Sequence, residues 1–177
     1  MLTIKGKTIH DSTFQKKIEK EVKILDLSNI ELKEVNLEPL VECKKLKGLR
    51  IAENQLVEIN LEPLKECKKL EYLGLYSNQL EKVDLKPLKK CKKLQTLALD
   101  SNQLREIELE PLTGCKQLQS LSLDNNQLKT VNLKPLTGCK ELEKLWLYKN
   151  QLKDVDLEPL SECEKLQYLK LDNNQLK

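Results

Sequence analysis

The sequence predicts an α/β solenoid, in which short parallel strands form one continuous sheet and short helical turns form the opposite face. Three observations predict it. The chain matches itself every 24 residues from Val22 to its C-terminus, and such a period is typical of solenoids. Leucines alternate with variable residues at the start of each unit, as in a strand with one buried face. A proline in the second half of each unit favours the first turn of a short helix.

Residues 22–177 form the repeat array, with six full units and a partial seventh. The unit is close to L-x-x-L-x-L-x-x-N-Q-L-x-x-V-[ND]-L-x-P-L-x-x-C-x-x. Its opening half, as in LQTLALDSNQL and LEKLWLYKNQL, resembles the leucine-rich repeat (LRR) family. Its closing half, as in VDLKPLKKCKK, is similar to bacterial or archaeal repeats of this length. The resemblance implies a right-handed horseshoe with a parallel β-sheet on its concave face and short helical or 3-10 turns on its convex face.

Residues 1–21 do not match the unit and are predicted to form an N-terminal cap. The stretch LTIKGKTI predicts a small hairpin around Gly6. The stretch DSTFQKKIEKEV predicts a short helix that is capped by Ser12 with Gln15 and carries Phe14, Ile18 and Val22 on one side. A cap of this kind covers the open end of a repeat core.

One asparagine column marks the point where each strand ends and the chain must turn. A short amide can bond backbone groups that a turn leaves unpaired, and stacking these side chains predicts a ladder through the coil. The first unit has Ile30 in this column, so we expect its turn to differ. The ladder consists of Asn54, Asn78, Asn102, Asn126, Asn150 and Asn174.

Composition and charge exclude several classes of partner. Hydrophobic residues are 39% and charged residues 33% of the chain, and the net charge of +3 comes from interspersed basic and acidic residues. Without a basic block, neither nucleic acid nor a membrane surface is expected as a partner. No apolar run approaches the about 18 residues of a membrane span, and the first residues lack the apolar core of a signal peptide. We therefore expect a cytoplasmic protein.

The chemistry-bearing residues favour binding over catalysis. The six cysteines occupy one column of the unit, which indicates small buried side chains with free thiols. There is no CxxC pair, the only histidine is His10, and no glycine belongs to a phosphate-binding loop. Asp100 and Asp124 occupy equivalent positions in neighbouring units, and a solvated or partner-facing surface is favoured over a cation site or acid-base chemistry. No enzyme, metal or cofactor is expected.

Every tyrosine and the only tryptophan lie at variable positions that face away from the leucines. Such side chains often anchor interfaces. Between two aromatic groups lie two units with small residues and two aspartates, which predicts a trough with aromatic walls and an acidic floor. The alternative is neutral drift on a solvated sheet. The predicted partner-binding residues are Tyr72, Tyr76, Asp100, Asp124, Trp146, Tyr148, Lys149 and Tyr168.

The leading interpretation is a non-enzymatic scaffold that binds a protein or peptide on its concave face, the usual activity that the LRR resemblance implies. A second is a self-assembling, engineered or consensus-like repeat protein without a specific ligand, and a third is carbohydrate binding. The chain stops inside a unit, which exposes one strand edge. Either a longer natural chain or a second molecule, such as a second copy in a homodimer, then covers this end. The leucines predicted to be exposed there are Leu166, Leu169, Leu171 and Leu176.

Overall fold

Seven parallel strands form the predicted solenoid sheet. The computed structural model describes all residues from Met1 to Lys177. Each unit contributes one strand of three residues, and the strands pair in chain order without a crossover. The parallel sheet predicted from the leucine spacing is confirmed. Its strands are β3 (Ile24–Asp26), β5 (Gly48–Arg50), β6 (Tyr72–Gly74), β7 (Thr96–Ala98), β8 (Ser120–Ser122), β9 (Lys144–Trp146) and β10 (Tyr168–Lys170).

Short 3-10 helices lie on the opposite face, as predicted. Each has its proline in the first turn, where the missing amide hydrogen removes no hydrogen bond. Five of the six follow an asparagine or aspartate whose side chain accepts the backbone N–H two residues later, as Asn60 does from Glu62 at 2.9 Å. The helices are Glu38–Glu42, Glu62–Glu66, Lys86–Lys90, Glu110–Leu112, Lys134–Leu136 and Glu158–Leu160. None of the helices has the length and apolar character needed to cross a membrane.

One continuous core lies between the sheet and the 3-10 helices. The leucine columns and the cysteine column are almost fully buried, as for Leu73, Leu64 and Cys67. Cys67 donates through its Sγ to the carbonyl of Leu40 at 3.5 Å in the preceding unit. Burial raises the pKa of the Cys91 thiol to about 12. The cysteines therefore act as small, protonated core side chains.

The asparagine column connects each unit to the one before it. Asn102 accepts the backbone N–H of Leu80 at 3.0 Å through Oδ1, and its Nδ2 donates to the carbonyls of Leu75, Leu99 and Asp100 at 3.1 to 3.2 Å. The same pattern recurs from Asn78 to Asn174. These amides satisfy backbone groups that are shielded from water where the strands end.

The first unit turns differently, as expected from Ile30. Every unit has a left-handed residue just before the asparagine column, with φ between 51° and 55°. In the first unit Glu31 is also left-handed, with φ of 57°, and the chain continues into β4 (Leu32–Asn36). Asn54 of the second unit stabilises this turn, because its Oδ1 accepts hydrogen bonds from the N–H groups of both Ile30 and Leu32.

The N-terminal cap is a three-stranded sheet, so the predicted helix is wrong. β2 (Thr13–Ile18) is a strand that pairs antiparallel with β1 (Leu2–Thr8), and β4 pairs with the other edge of β1. Phe14 and Ile18 lie on one face in a strand as well as in a helix, because their spacing is an even number of residues. Ile18 is buried and Phe14 packs against the core. Pairing with β1 decided the conformation, since tertiary context overrides weak helix propensity.

Gly6 is likewise not the turn of the hairpin. It lies within β1, opposite Phe14 on one side and Val35 on the other. A Cβ on Gly6 would lie 2.3 Å from the carbonyl oxygen of Glu34. Glycine is therefore needed here for the close approach of two backbones, and the hairpin turns after Thr8 instead.

Candidate functional site

The outward face of the solenoid sheet and its strand ends, which we call the concave face, carries the predicted partner-binding residues except Lys149, which lies in the adjoining turn. Leu73 and Leu75 point into the core and are fully buried, whereas Tyr72 and Tyr76 alternate with them and are half-buried. The same alternation in β9 buries Leu145 while leaving its neighbours outside. None of the tyrosines or the tryptophan belongs to the buried core. Their rings are thus available at the surface of a rigid sheet.

Tyr72 lies flat along its own strand over Gly74. A Cβ on Gly74 would lie 2.6 Å from the Tyr72 hydroxyl and 2.8 Å from the ring. The guanidinium of Arg50 lies 5.1 Å from the ring centroid on the neighbouring strand, within the range of a cation–π interaction. Glycine at position 74 therefore makes room for the ring, and this pairing of Tyr72 with Gly74 was not visible in the sequence.

Four residues in one column form a row across the ends of adjacent strands. Backbone bonds of 2.9 to 3.0 Å link these strand ends, for example from the N–H of Ser101 to the carbonyl of Asp124. Strands are about 4.8 Å apart, so each side chain neighbours the next. This acidic row, as we call it, consists of Tyr76, Asp100, Asp124 and Tyr148.

Small side chains beneath the acidic row form the floor of the trough. Ala98 and Ser122 occupy the preceding outward position on β7 and β8 and are only 8% and 5% exposed. Bulkier residues lie on either side, with Tyr72 on β6 and Trp146 on β9. The small side chains of β7 and β8 therefore lie between larger ones on β6 and β9, and we call this part of the concave face the trough.

The carboxylates of the acidic row are poorly solvated. Asp124 is only 3% exposed, and its Oδ1 has no hydrogen-bond partner. Burial and the neighbouring carboxylate of Asp124 raise the pKa of Asp100 to about 6. Burial also raises the pKa of Asp124, and the Tyr148 hydroxyl beside it opposes that shift. None of the ion pairs in the molecule includes either aspartate.

The wall beyond β8 is built from Trp146, Tyr148 and Lys170. The ammonium group of Lys170 lies 5.6 Å from the Trp146 ring and 5.7 Å from the Tyr148 ring. The indole Nε1 of Trp146 is shielded from solvent and has no acceptor. Lys170 was missing from the predicted site, although it occupies the same column as Trp146 one unit later. That column position was the only signal in the sequence.

The remaining predicted residues lie at the margin of the site. Lys149 is exposed in the left-handed turn after Tyr148, with φ of 51°, and its ammonium lies 5.9 Å from the Tyr148 ring. Tyr168 on the outermost strand is 50% exposed. The structure therefore brings Asp100, Asp124 and Tyr148 together with Trp146, and it places Tyr168 to one side. No group of three or more His, Cys, Asp or Glu side chains is arranged to hold a metal ion.

Comparison with known proteins gives consistent matches to one family. A family model described as leucine rich repeat matches residues 68–128, 92–147 and 116–176, which together span more than half of the chain. No curated protein matches the chain significantly in sequence.

Several solved structures share the fold. Internalin C2 from Listeria monocytogenes is 30% identical, with a TM-score of 0.64 over 80% of this chain and 58% of that chain. The LRR ectodomain of the plant receptor kinase GASSHO1/SCHENGEN3 from Arabidopsis thaliana, solved in complex with CASPARIAN STRIP INTEGRITY FACTOR 2, is 29% identical, with a TM-score of 0.69 over 77% of this chain and 16% of that chain. An LRR protein of Leptospira interrogans is 26% identical, with a TM-score of 0.63 over 78% and 40%. The chain spans less than two thirds of each of these structures.

Proposed function

The chain belongs to the leucine-rich repeat family, and on that premise we propose that it is a binding module that holds a protein or peptide against its concave face. Members of this family serve in general as protein-interaction scaffolds. Fold alone does not identify a partner, so the proposal depends on the residues of this chain.

The observation that carries the proposal is the placement of the aromatic side chains. Tyr72, Tyr76, Trp146 and Tyr148 stay half-exposed on a sheet whose opposite face buries leucine. Large rings that are outside the core and fixed to a rigid scaffold supply contact area with little loss of side-chain entropy on binding. The trough between them spans the two strands β7 and β8.

A selection from a phage-displayed library of random 15-residue peptides on the immobilised protein tests this proposal. We expect Trp146→Ala and Tyr148→Ala each to weaken binding of the selected peptides by about 30-fold or more, since buried interface aromatics contribute at least about 2 kcal/mol. Gly74→Ala should weaken binding of those peptides that contact Tyr72, because the added Cβ displaces its ring.

The matched control is Val57→Ala, which removes an apolar side chain that is 53% exposed and lies off the concave face. It should bind the selected peptides as tightly as the native chain. Peptides that bind Trp146→Ala and Tyr148→Ala as well as the native protein would contradict the proposal.

Self-association through the outer edge of β10 is a second candidate function. This strand pairs only with β9. Its central residue Leu169 is 36% exposed, and Leu176, which follows the strand, is 40% exposed. An unpaired edge next to apolar surface favours pairing with another chain. We expect light scattering to show a mass that rises from monomer to dimer with concentration, and we expect Leu169→Lys to remove the rise. A monomer at every concentration would contradict this candidate.

A further inference from the structure

The acidic row and the neighbouring side chain of Trp146 contain polar groups that the folded chain leaves without partners. Oδ1 of Asp124 and Nε1 of Trp146 are both shielded from water and unbonded. A buried polar group in this state destabilises the folded chain, because it has lost its hydrogen bonds to water without gaining others. One group is an acceptor that lacks a donor, and the other is a donor that lacks an acceptor.

The chain itself does not neutralise the two carboxylates. Its lysines and glutamates pair extensively elsewhere, including between units, as Lys47 does with Glu71 at 2.8 Å. The titratable and charged groups that face the aspartates are the phenols of Tyr72, Tyr76 and Tyr148 and the ammonium groups of Lys149 and Lys170. Both lysines instead lie over the faces of aromatic rings. The trough thus lacks a bonded cation at its acidic centre.

We propose, on the basis of the proposed peptide-binding function, that the trough is a subsite for one arginine or lysine side chain of the bound polypeptide. Asp100 and Asp124 accept hydrogen bonds from its cationic head, and the Trp146 and Tyr148 rings contact its aliphatic chain. A carbonyl of the same polypeptide accepts the free Nε1–H of Trp146. The incoming cation replaces the Tyr148 hydroxyl beside Asp124, and the Tyr148 ring turns aside to admit it.

This ligand chemistry fits both unpartnered groups at once. A polypeptide with a basic side chain offers a charged donor and a neutral carbonyl acceptor close together. The aromatic rings already carry the chain's own cations at 5.1 to 5.9 Å, so they accommodate positive charge at their faces. A neutral sugar offers hydroxyl groups but no charge for the paired carboxylates.

The single tryptophan of the chain provides a direct test. Its indole N–H gives one resonance in a nitrogen-15 correlated NMR spectrum. The probe is acetyl-Gly-Gly-Arg-Gly-Gly-amide, and its matched control contains citrulline, which is neutral and nearly isosteric with arginine. We expect the arginine peptide to shift the Trp146 resonance saturably and the citrulline peptide to bind at least tenfold more weakly.

The pH dependence has a defined sign. A bound cation favours the ionised aspartates, so the affinity for the arginine peptide should be highest above the pKa of Asp100 near 6. Protonation then weakens binding as the pH falls, and we expect about tenfold weaker binding at pH 5 than at pH 7. The Asp100→Asn, Asp124→Asn double variant should lose both the binding and its pH dependence.

The double variant also separates this proposal from unfolding. Asparagine removes a poorly solvated charge without changing the size of the side chain, so the denaturation midpoint at pH 7 should stay unchanged or rise. Equal binding of the arginine and citrulline peptides, no saturable shift with either, or unchanged binding by the double variant would overturn the proposal. A saturable shift with maltohexaose alone would identify a sugar site and would also overturn it.

The experiments distinguish failure of the cation subsite from failure of peptide binding in general. If phage-selected peptides depend on Trp146 but the arginine peptide gives no shift, the concave face binds peptides without a cation subsite. If no selected peptide depends on the concave aromatics and the arginine peptide still gives a citrulline-sensitive shift, the subsite exists without the broader peptide-binding function.

Discussion

Replacing Asn102 by alanine is expected to lower the free energy of unfolding by about 3 to 4 kcal/mol. The asparagine side chain makes four hydrogen bonds to backbone groups of two adjacent units, and it is only 8% exposed. Alanine leaves the N–H of Leu80 without an acceptor and three carbonyls without this donor. Urea denaturation followed by circular dichroism measures the loss.

Two further variants distinguish the loss of buried ladder hydrogen bonds from the effect that any alanine substitution has on stability. Asn174→Ala removes the same bonds in the last unit, where the side chain is partly solvated, and water can replace the lost partners. It should lower the free energy of unfolding by only about 1 kcal/mol. Gln103→Ala, next to Asn102 but without a side-chain hydrogen bond, should change it by less than about 0.5 kcal/mol. Equal losses for Asn102→Ala and Asn174→Ala would refute the importance of buried ladder bonds.

Replacing Leu121 by alanine is expected to lower the free energy of unfolding by about 3 to 5 kcal/mol. Leu121 lies at the centre of β8 and is fully buried between the sheet and the 3-10 helices. Both neighbouring units surround it, because β8 pairs with β7 and β9. The substitution therefore leaves a cavity that rigid strands on either side cannot fill.

Leu169→Ala is the matched control for Leu121→Ala. It makes the same chemical change in the same column of the unit, but Leu169 is 36% exposed and is packed on one side only. Its expected effect is about 1 kcal/mol, since partial exposure reduces both the lost burial and the cavity. If Leu121→Ala lowered the free energy of unfolding no more than Leu169→Ala, the units would not be cooperatively packed.

Much of the array follows from the period of the sequence. A period of 24 residues with leucine at every second strand position fixes which side chains enter the core, because a strand has two faces. The proline column favours the 3-10 helices, and the asparagine column supplies hydrogen bonds to the backbone groups at the strand ends. The outward position of Trp146 and the tyrosines follows from the same alternation.

The candidate site was only partly predictable. The columns identified Asp100, Asp124 and Tyr148 as neighbours, yet they did not show that Asp124 is almost fully buried with its Oδ1 unpartnered. Nor did they show that Lys170 lies between two rings or that Gly74 accommodates Tyr72. These properties depend on how side chains lean across several strands, and a one-dimensional pattern does not record that direction.

The sequence by itself determined the solenoid, its core columns and the face that carries the aromatic rings, because these depend on a periodicity that repeats through the chain. Only the tertiary structure decided the cap and the electrostatics of the trough. In the cap, β2 and β4 take their conformation from pairing with β1. β4 belongs to the first repeat unit and is distant from β1 in the sequence, so the local pattern does not predict this pairing. In the trough, neighbouring side chains remove water from two carboxylates, and the free energy of a charge depends on that three-dimensional environment.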